Sequence, residues 1–151
     1  MKTKVAAIYG KQDIRIREFE LPAITDNELL VSVISDSVCL STWKAAALGS
    51  DHKRVPDDLE NHPVITGHEC AGIIVEVGKN LTDKYKKGQR FVLQPAMGLP
   101  SGYSAGYSYE YFGGNATYMI IPEVAINLGC VLPYHCLLYT SPSPRDMRRS
   151  R

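Results

Sequence analysis

Gly67-His68-Glu69-Cys70-Ala71-Gly72 runs straight into Ile73-Ile74-Val75-Glu76-Val77 and stops at Gly78. The second half of this stretch is rich in β-branched residues, and Gly78-Lys79-Asn80 after it are turn formers. Residues 64–77 are therefore expected to have strand character. The first half sets an imidazole beside a carboxylate, and Cys39 stands upstream. Thiolate sulfur, imidazole nitrogen and carboxylate oxygen are together the donors of a zinc site. A catalytic zinc takes three protein ligands and leaves one position for substrate. An alcohol in that position has its hydroxyl acidified, so its carbon can release hydride to an acceptor. Ser41 follows Cys39 closely and carries a hydroxyl that donates and accepts at once, as a proton relay must. A Gly-His-Glu triplet alone arises by chance in many proteins; the run to Gly78 and the earlier cysteine give it weight here.

Outward from this stretch the chain reads as more strands. Residues 5–9, 14–19 and 29–34 are β-branched, partly alternating, and separated by Gly10, Pro22 and Asp26-Asn27, which predicts an antiparallel β-meander. A short helix is expected over 42–48, capped by Ser41 and ended by Gly49. Another strand is expected over 90–93. Residues 94–114 shift to Gly, Ser, Pro and Tyr without period, which marks a long loop. A last strand spans 115–121, closed by Pro122. Many short strands and one or two short helices make the predicted fold class mainly β, a partly open β-barrel.

The bulk properties suit one domain with a real core, at 151 residues with 44% apolar and 22% charged. The 17 Lys and Arg nearly balance 16 Asp and Glu, leaving a formal charge of +1. That gives no reason to expect a nucleic acid or membrane partner; a small molecule fits better. The start Met1-Lys2-Thr3-Lys4 is basic, but the apolar run after it ends at Gly10-Lys11, too short for an export signal. Cys39, Cys70, Cys130 and Cys136 show no framework spacing and read as thiols, which implies the cytoplasm. Residues 137–151 have neither periodicity nor a cap. They read as a non-native, disordered tail similar to translated sequencing-adapter text, so their arginines are set aside.

These motifs make residues 1 to about 128 resemble the medium-chain zinc-dependent alcohol dehydrogenase family. The resemblance rests on Gly67, His68, Glu69, Gly72 and Gly78, on the cysteine loop Cys39-Leu40-Ser41, and on Gly113-Gly114-Asn115-Ala116-Thr117-Tyr118. It implies a GroES-like barrel over 1–128, with 129–136 starting the connection to a nucleotide-binding domain. It also implies Cys39 and His68 as catalytic zinc ligands, Glu69 as a ligand or exchanging neighbour, and Ser41 as the proton relay. NAD(P) would be the hydride acceptor and the full-length enzyme a homo-oligomer. The wording is similar to polyol and sugar dehydrogenases, and the run from Cys39 to Lys44 is similar to sorbose-1-phosphate reductases. That closer likeness makes Lys44 and His52-Lys53-Arg54 candidates for meeting a phosphate. By residue type alone they read as a solvated patch.

The chain departs from the family pattern at Leu40, where Gly or Arg is usual, and at Thr42. An Asp at the second position supports the zinc-bound histidine; Glu60 is the substitute expected here. Residues 94–114 contain no cysteine, so no structural zinc is expected. Cys70, adjacent to Glu69 in a strand, should face the other way as a buried thiol. His52 and His62 read as surface imidazoles, and Tyr103, Tyr107, Tyr109 and Tyr111 as packing on their own barrel. No Gly-x-Gly-x-x-Gly turn occurs, and the remaining zinc ligand would lie beyond Leu132. The polypeptide alone is therefore expected to hold an incomplete zinc site and not to turn over substrate. A zinc-free quinone reductase-like domain and a non-catalytic GroES-like binding module would share the barrel. Cys39, His68 and Glu69 argue against both.

Overall fold

The structure is a computed structural model that describes residues 1–95 and 101–134. In β1 (Lys2–Gly10) side chains alternate, with Thr3, Val5 and Ala7 buried and Lys2 and Lys4 exposed. β1 pairs antiparallel with β2 (Asp13–Glu20) along its length, from Lys2 opposite Glu20 to Gly10 opposite Asp13. Arg15 and Arg17 lie over the Tyr9 ring at 4.6 and 5.7 Å, so the cations of this exposed strand shield an aromatic on its neighbour. On its other side β1 pairs with the two-residue β4 (Val64–Ile65).

The second sheet has the order β7-β3-β5-β6-β8, with β3 (Leu29–Asp36), β5 (Cys70–Val77), β6 (Arg90–Leu93), β7 (Tyr118–Ile121) and β8 (Val131–Pro133). Its inner face carries the main core, in which Leu29, Val31, Ile74, Phe91, Met119 and Ile121 are fully buried. The two sheets join where β1 meets the segment before β7. The Ala6 N–H donates to the Asn115 carbonyl at 2.9 Å, and the Thr117 N–H to the Lys4 carbonyl at 3.0 Å. The result is the expected mainly β, partly open barrel, with two short helices among the described residues, α1 (Leu40–Leu48) and α2 (Glu123–Asn127).

Several local expectations are corrected. The meander breaks after β2, because β3 crosses to the other sheet and pairs with β5 and β7. Leu29, Leu30 and Val31 are all buried, and a strand apolar on both faces belongs in the middle of a sheet, whereas β2 is mostly exposed. Residues 64–77 form two strands, β4 and β5, interrupted at 66–69. α1 begins at Leu40, with Cys39 at the capping position and no side-chain cap, so Ser41 lies inside the helix; Gly49 ends it at φ 54°, as expected. The expected strand over 115–121 begins only at Tyr118; α2 is the second of the one or two short helices expected, and β8 is an added strand at the edge of the sheet. Of the long loop, residues 94–95 and 101–114 form no helix or strand, yet Ala105, Tyr107 and Phe112 are core residues. Of the expected start of a connection at 129–136, residues 131–133 form β8 on the edge of the second sheet, and 135–136, Cys136 included, lie outside the described residues. So does the expected tail at 137–151.

Candidate metal centre

Cys39 sits in extended backbone (φ −99°, ψ 142°) where the chain leaves β3 and enters α1. His68 and Glu69 sit in the break between β4 and β5. That break depends on Gly67, whose φ is +87° and whose missing Cβ would lie 1.9 Å from Asp36 Oδ2 and 2.6 Å from the Asn115 nitrogen. Only a residue without a side chain fits such a corner. It aims His68 and Glu69 back toward the start of α1, and one donor atom each from Cys39, His68 and Glu69 then lie within 4.8 Å of one another.

The surroundings hold these groups. Ser41 Oγ donates to Cys39 Sγ at 2.9 Å and lies 3.3 Å from His68 Nε2. Glu69 is exposed, and its Oε2 accepts from Ser37 Oγ. Asp36 Oδ1 accepts from the Glu69 N–H at 3.0 Å and the Ser37 N–H at 2.9 Å, so one carboxylate ties down the backbone on both sides. Burial pushes the Asp36 carboxyl up, with these two N–H groups opposing. His68 is 8% exposed, and burial holds its pKa below the usual imidazole value; the Glu69 carboxylate opposes that and the Arg54 cation adds to it. A neutral imidazole is the form that binds metal. Thiol, neutral imidazole and carboxylate converging beside a hydroxyl fit zinc in their donor chemistry.

Glu60 does not orient His68. It is exposed and its charge acts on Arg15, while the buried His68 Nδ1 has no hydrogen-bond partner among the described residues. The buried hydroxyl of Thr42 has none either. Cys70 is 2% exposed, and burial, reinforced by Asp36, pushes its thiol up to about 12. Iodoacetamide at about pH 8 is therefore expected to alkylate half-buried Cys39 and to spare Cys70 and Cys130, since the thiolate is the nucleophile. Peptide mapping checks this, and labelling of Cys70 as fast as Cys39 would contradict it.

Of the other residues singled out in the sequence, His62 is exposed and bonded to Glu110. Lys44 and Lys53 are exposed, and His52 and Arg54 are half-buried. Tyr103, Tyr109 and Phe112 pack together, and Tyr111 packs on Phe19. Tyr107 is the surprise: buried, it touches both His52 and His68. Sequence reasoning missed Asp36 and Ser37, and it read Tyr107 as packing on the barrel without its contacts to His52 and His68. The polar run Ser35-Asp36-Ser37 just before the cysteine was a usable signal for the first two; Tyr107 lay in a loop without period.

A model of the alcohol dehydrogenase GroES-like domain matches residues 25–129. The chain belongs to this family. It is 88% identical over 143 residues to uncharacterized protein YggP of Escherichia coli (strain K12), covering 95% of this chain and 34% of that one. It is 66% identical over 142 residues to mannitol-1-phosphate 5-dehydrogenase of Aliivibrio fischeri, covering 94% and 34%. With L-sorbose 1-phosphate reductase of Klebsiella pneumoniae it shares 44% over 133 residues, covering 87% and 32%. The chain thus spans about a third of the length of these curated relatives. Among solved structures, 2R,3R-butanediol dehydrogenase from Bacillus subtilis superposes with a TM-score of 0.70 at 26% identity, over 88% of this chain and 40% of that one. A cobalt- and zinc-bound thermostable alcohol dehydrogenase from Pyrobaculum aerophilum gives 0.70 at 19% identity, over 91% and 43%, a likeness of fold. In this GroES-like domain no helix among the described residues is long and apolar enough to cross a membrane.

Proposed function

We propose that this chain is the zinc- and substrate-binding part of an NAD(P)-linked dehydrogenase that moves hydride between a polyol or sugar phosphate alcohol and nicotinamide. The observation that carries the reading is the convergence of Cys39, His68 and Glu69 on one point beside Ser41. The names of the 66% and 44% identical relatives, a mannitol-1-phosphate dehydrogenase and a sorbose 1-phosphate reductase, support the substrate class.

Cys39 and His68 would hold the ion. Glu69, at the exposed rim and tied to Ser37, would serve as a ligand that can approach or leave. Bound zinc supplies Lewis acidity that lowers the pKa of a substrate hydroxyl. Ser41 stands between the sulfur and the imidazole, where its oxygen takes up the proton lost from that hydroxyl and hands it outward. NAD(P), held in this reading by the rest of the longer protein, would supply the hydride acceptor. In this reading the barrel domain covers 1–128, residues 129–136 lead toward that cofactor domain, and the whole enzyme is a cytoplasmic homo-oligomer.

The test compares the chain alone with the chain joined to the remaining part of its 66% identical relative. The extended protein is expected to hold about one zinc per chain by elemental analysis and to reduce NAD(P) with mannitol 1-phosphate or sorbitol. The short chain should hold less zinc and show no turnover. An extended protein that binds no zinc, or turnover by the short chain alone, would defeat the reading.

A further inference from the structure

Tyr107 ties the donor cluster to a second group of side chains. Its ring is 3% exposed and packs with Ile8, Ala45, Ala46, Val55, Leu59 and Val64, so it is a fixed platform under α1. His68 lies against it at a centroid distance of 5.1 Å. His52 stacks on it at 5.4 Å with an interplanar angle of 14°, and the Arg54 guanidinium carbon is 5.4 Å from its centroid. Metal donor and guanidinium therefore share one aromatic ring as neighbour.

This neighbourhood holds cations without counter-charges. Lys2, Lys4, Lys11, Arg15 and Lys79 each pair with a carboxylate. Among the described residues, Lys44, Lys53 and Arg54 form no such pair within 4.0 Å; Arg17, Lys84, Lys86, Lys87 and Arg90 form none either, and what sets the first three apart is that they gather around His52. All three cations act on His52, lowering its pKa after the larger effect of burial, and Arg54 also acts on His68. Like charges gathered around one imidazole repel one another, and an anion between them removes the penalty. The local backbone is pinned, since Ser108 Oγ donates to the Arg54 carbonyl at 2.5 Å. His52 Nδ1 accepts the Arg54 N–H at 3.3 Å, which leaves the ring proton on Nε2 as a free donor.

The geometry points to an anchor for a phosphomonoester: the Arg54 guanidinium and His52 Nε2–H, both seated on Tyr107, grip the phosphate of a substrate whose alcohol reaches Cys39 and His68. Lys44, on α1, adds attraction at longer range. The assignment rests on the dehydrogenase reading and deepens it, by explaining how a phosphorylated polyol is told from a free one. A planar guanidinium suits this task because it meets two phosphate oxygens at once.

In the extended, zinc-loaded protein, the ratio of kcat/KM for mannitol 1-phosphate to that for mannitol should fall roughly tenfold to a hundredfold in Arg54→Met, the loss of a charged hydrogen bond. His52→Ala should lower it less, and Arg54→Lys should keep part of it. Lys79→Met, remote and paired with Asp26, is the control. Calorimetry with inorganic phosphate on the same proteins should show binding that Arg54→Met weakens by a similar factor, whether or not the protein turns over. Zinc content and melting profile report on folding. Wild-type preference and phosphate affinity in Arg54→Met would overturn the anchor. So would an effect confined to KM for NADP, which would place the phosphate of the cofactor there instead. A protein without zinc or activity on any polyol would sink the dehydrogenase reading, while the phosphate titration still judges the anchor.

Discussion

Cys39→Ser combined with His68→Ala is expected to strip the extended protein of its metal, weakening zinc binding by well over a hundredfold. Loss of an outer partner of a ligand alone costs roughly tenfold to a hundredfold, so losing two direct donors must cost more. Serine cannot replace the thiolate, because its hydroxyl keeps its proton near neutral pH and is a harder donor than the ion prefers. Alanine at 68 removes the one buried imidazole of the cluster, which burial keeps ready as a neutral ligand. Glu69 alone, exposed and already accepting from Ser37, cannot retain the ion. Elemental analysis after gel filtration, with circular dichroism to show the barrel intact, measures the effect. A folded double variant with wild-type zinc content would place the metal elsewhere.

The second large effect is on folding. Gly67→Ala is expected to destabilise the domain by roughly 3–5 kcal/mol, a large share of the 5–15 kcal/mol typical of a whole protein. An L-residue at φ +87° costs about 1–2 kcal/mol in backbone strain. The rest comes from collision, because the new methyl would sit 1.9 Å from Asp36 Oδ2 and 2.6 Å from the Asn115 nitrogen. The carboxylate could retreat only by giving up its bonds to the Glu69 and Ser37 N–H groups, so the donor cluster should loosen as well. Gly88→Ala separates the two causes. Gly88 has a similar φ of +82° but nothing within 4 Å of its missing Cβ, so only the strain remains. Urea midpoints of the two variants check the difference, and equal losses would refute the crowding at Gly67.

Which parts of the barrel were readable in advance follows from how local their causes are. β5 and β6 were legible because β-branched residues and turn formers act within a few positions. The end of α1 at Gly49 was legible for the same reason, as a left-handed residue closes a helix by itself. The partner of β3 was not legible, since pairing depends on which strands have two apolar faces to cover, a property of the assembled sheet. The start of α1 was missed because Ser41 looks like a cap, yet its hydroxyl turns to Cys39 Sγ.

The candidate site divides along the same line. Cys39, Ser41, His68 and Glu69 could be named from residue type and spacing, because donor chemistry belongs to the side chain wherever it sits. That Glu60 lies away at the surface, that Asp36 fastens Glu69, and that Tyr107 sets His52 and Arg54 beside His68 depended on the folded chain. These are contacts between residues far apart in sequence, brought together by the fold of two sheets around a shared core. No periodicity or short motif encodes such distances, because they are fixed only when every buried group has found its place.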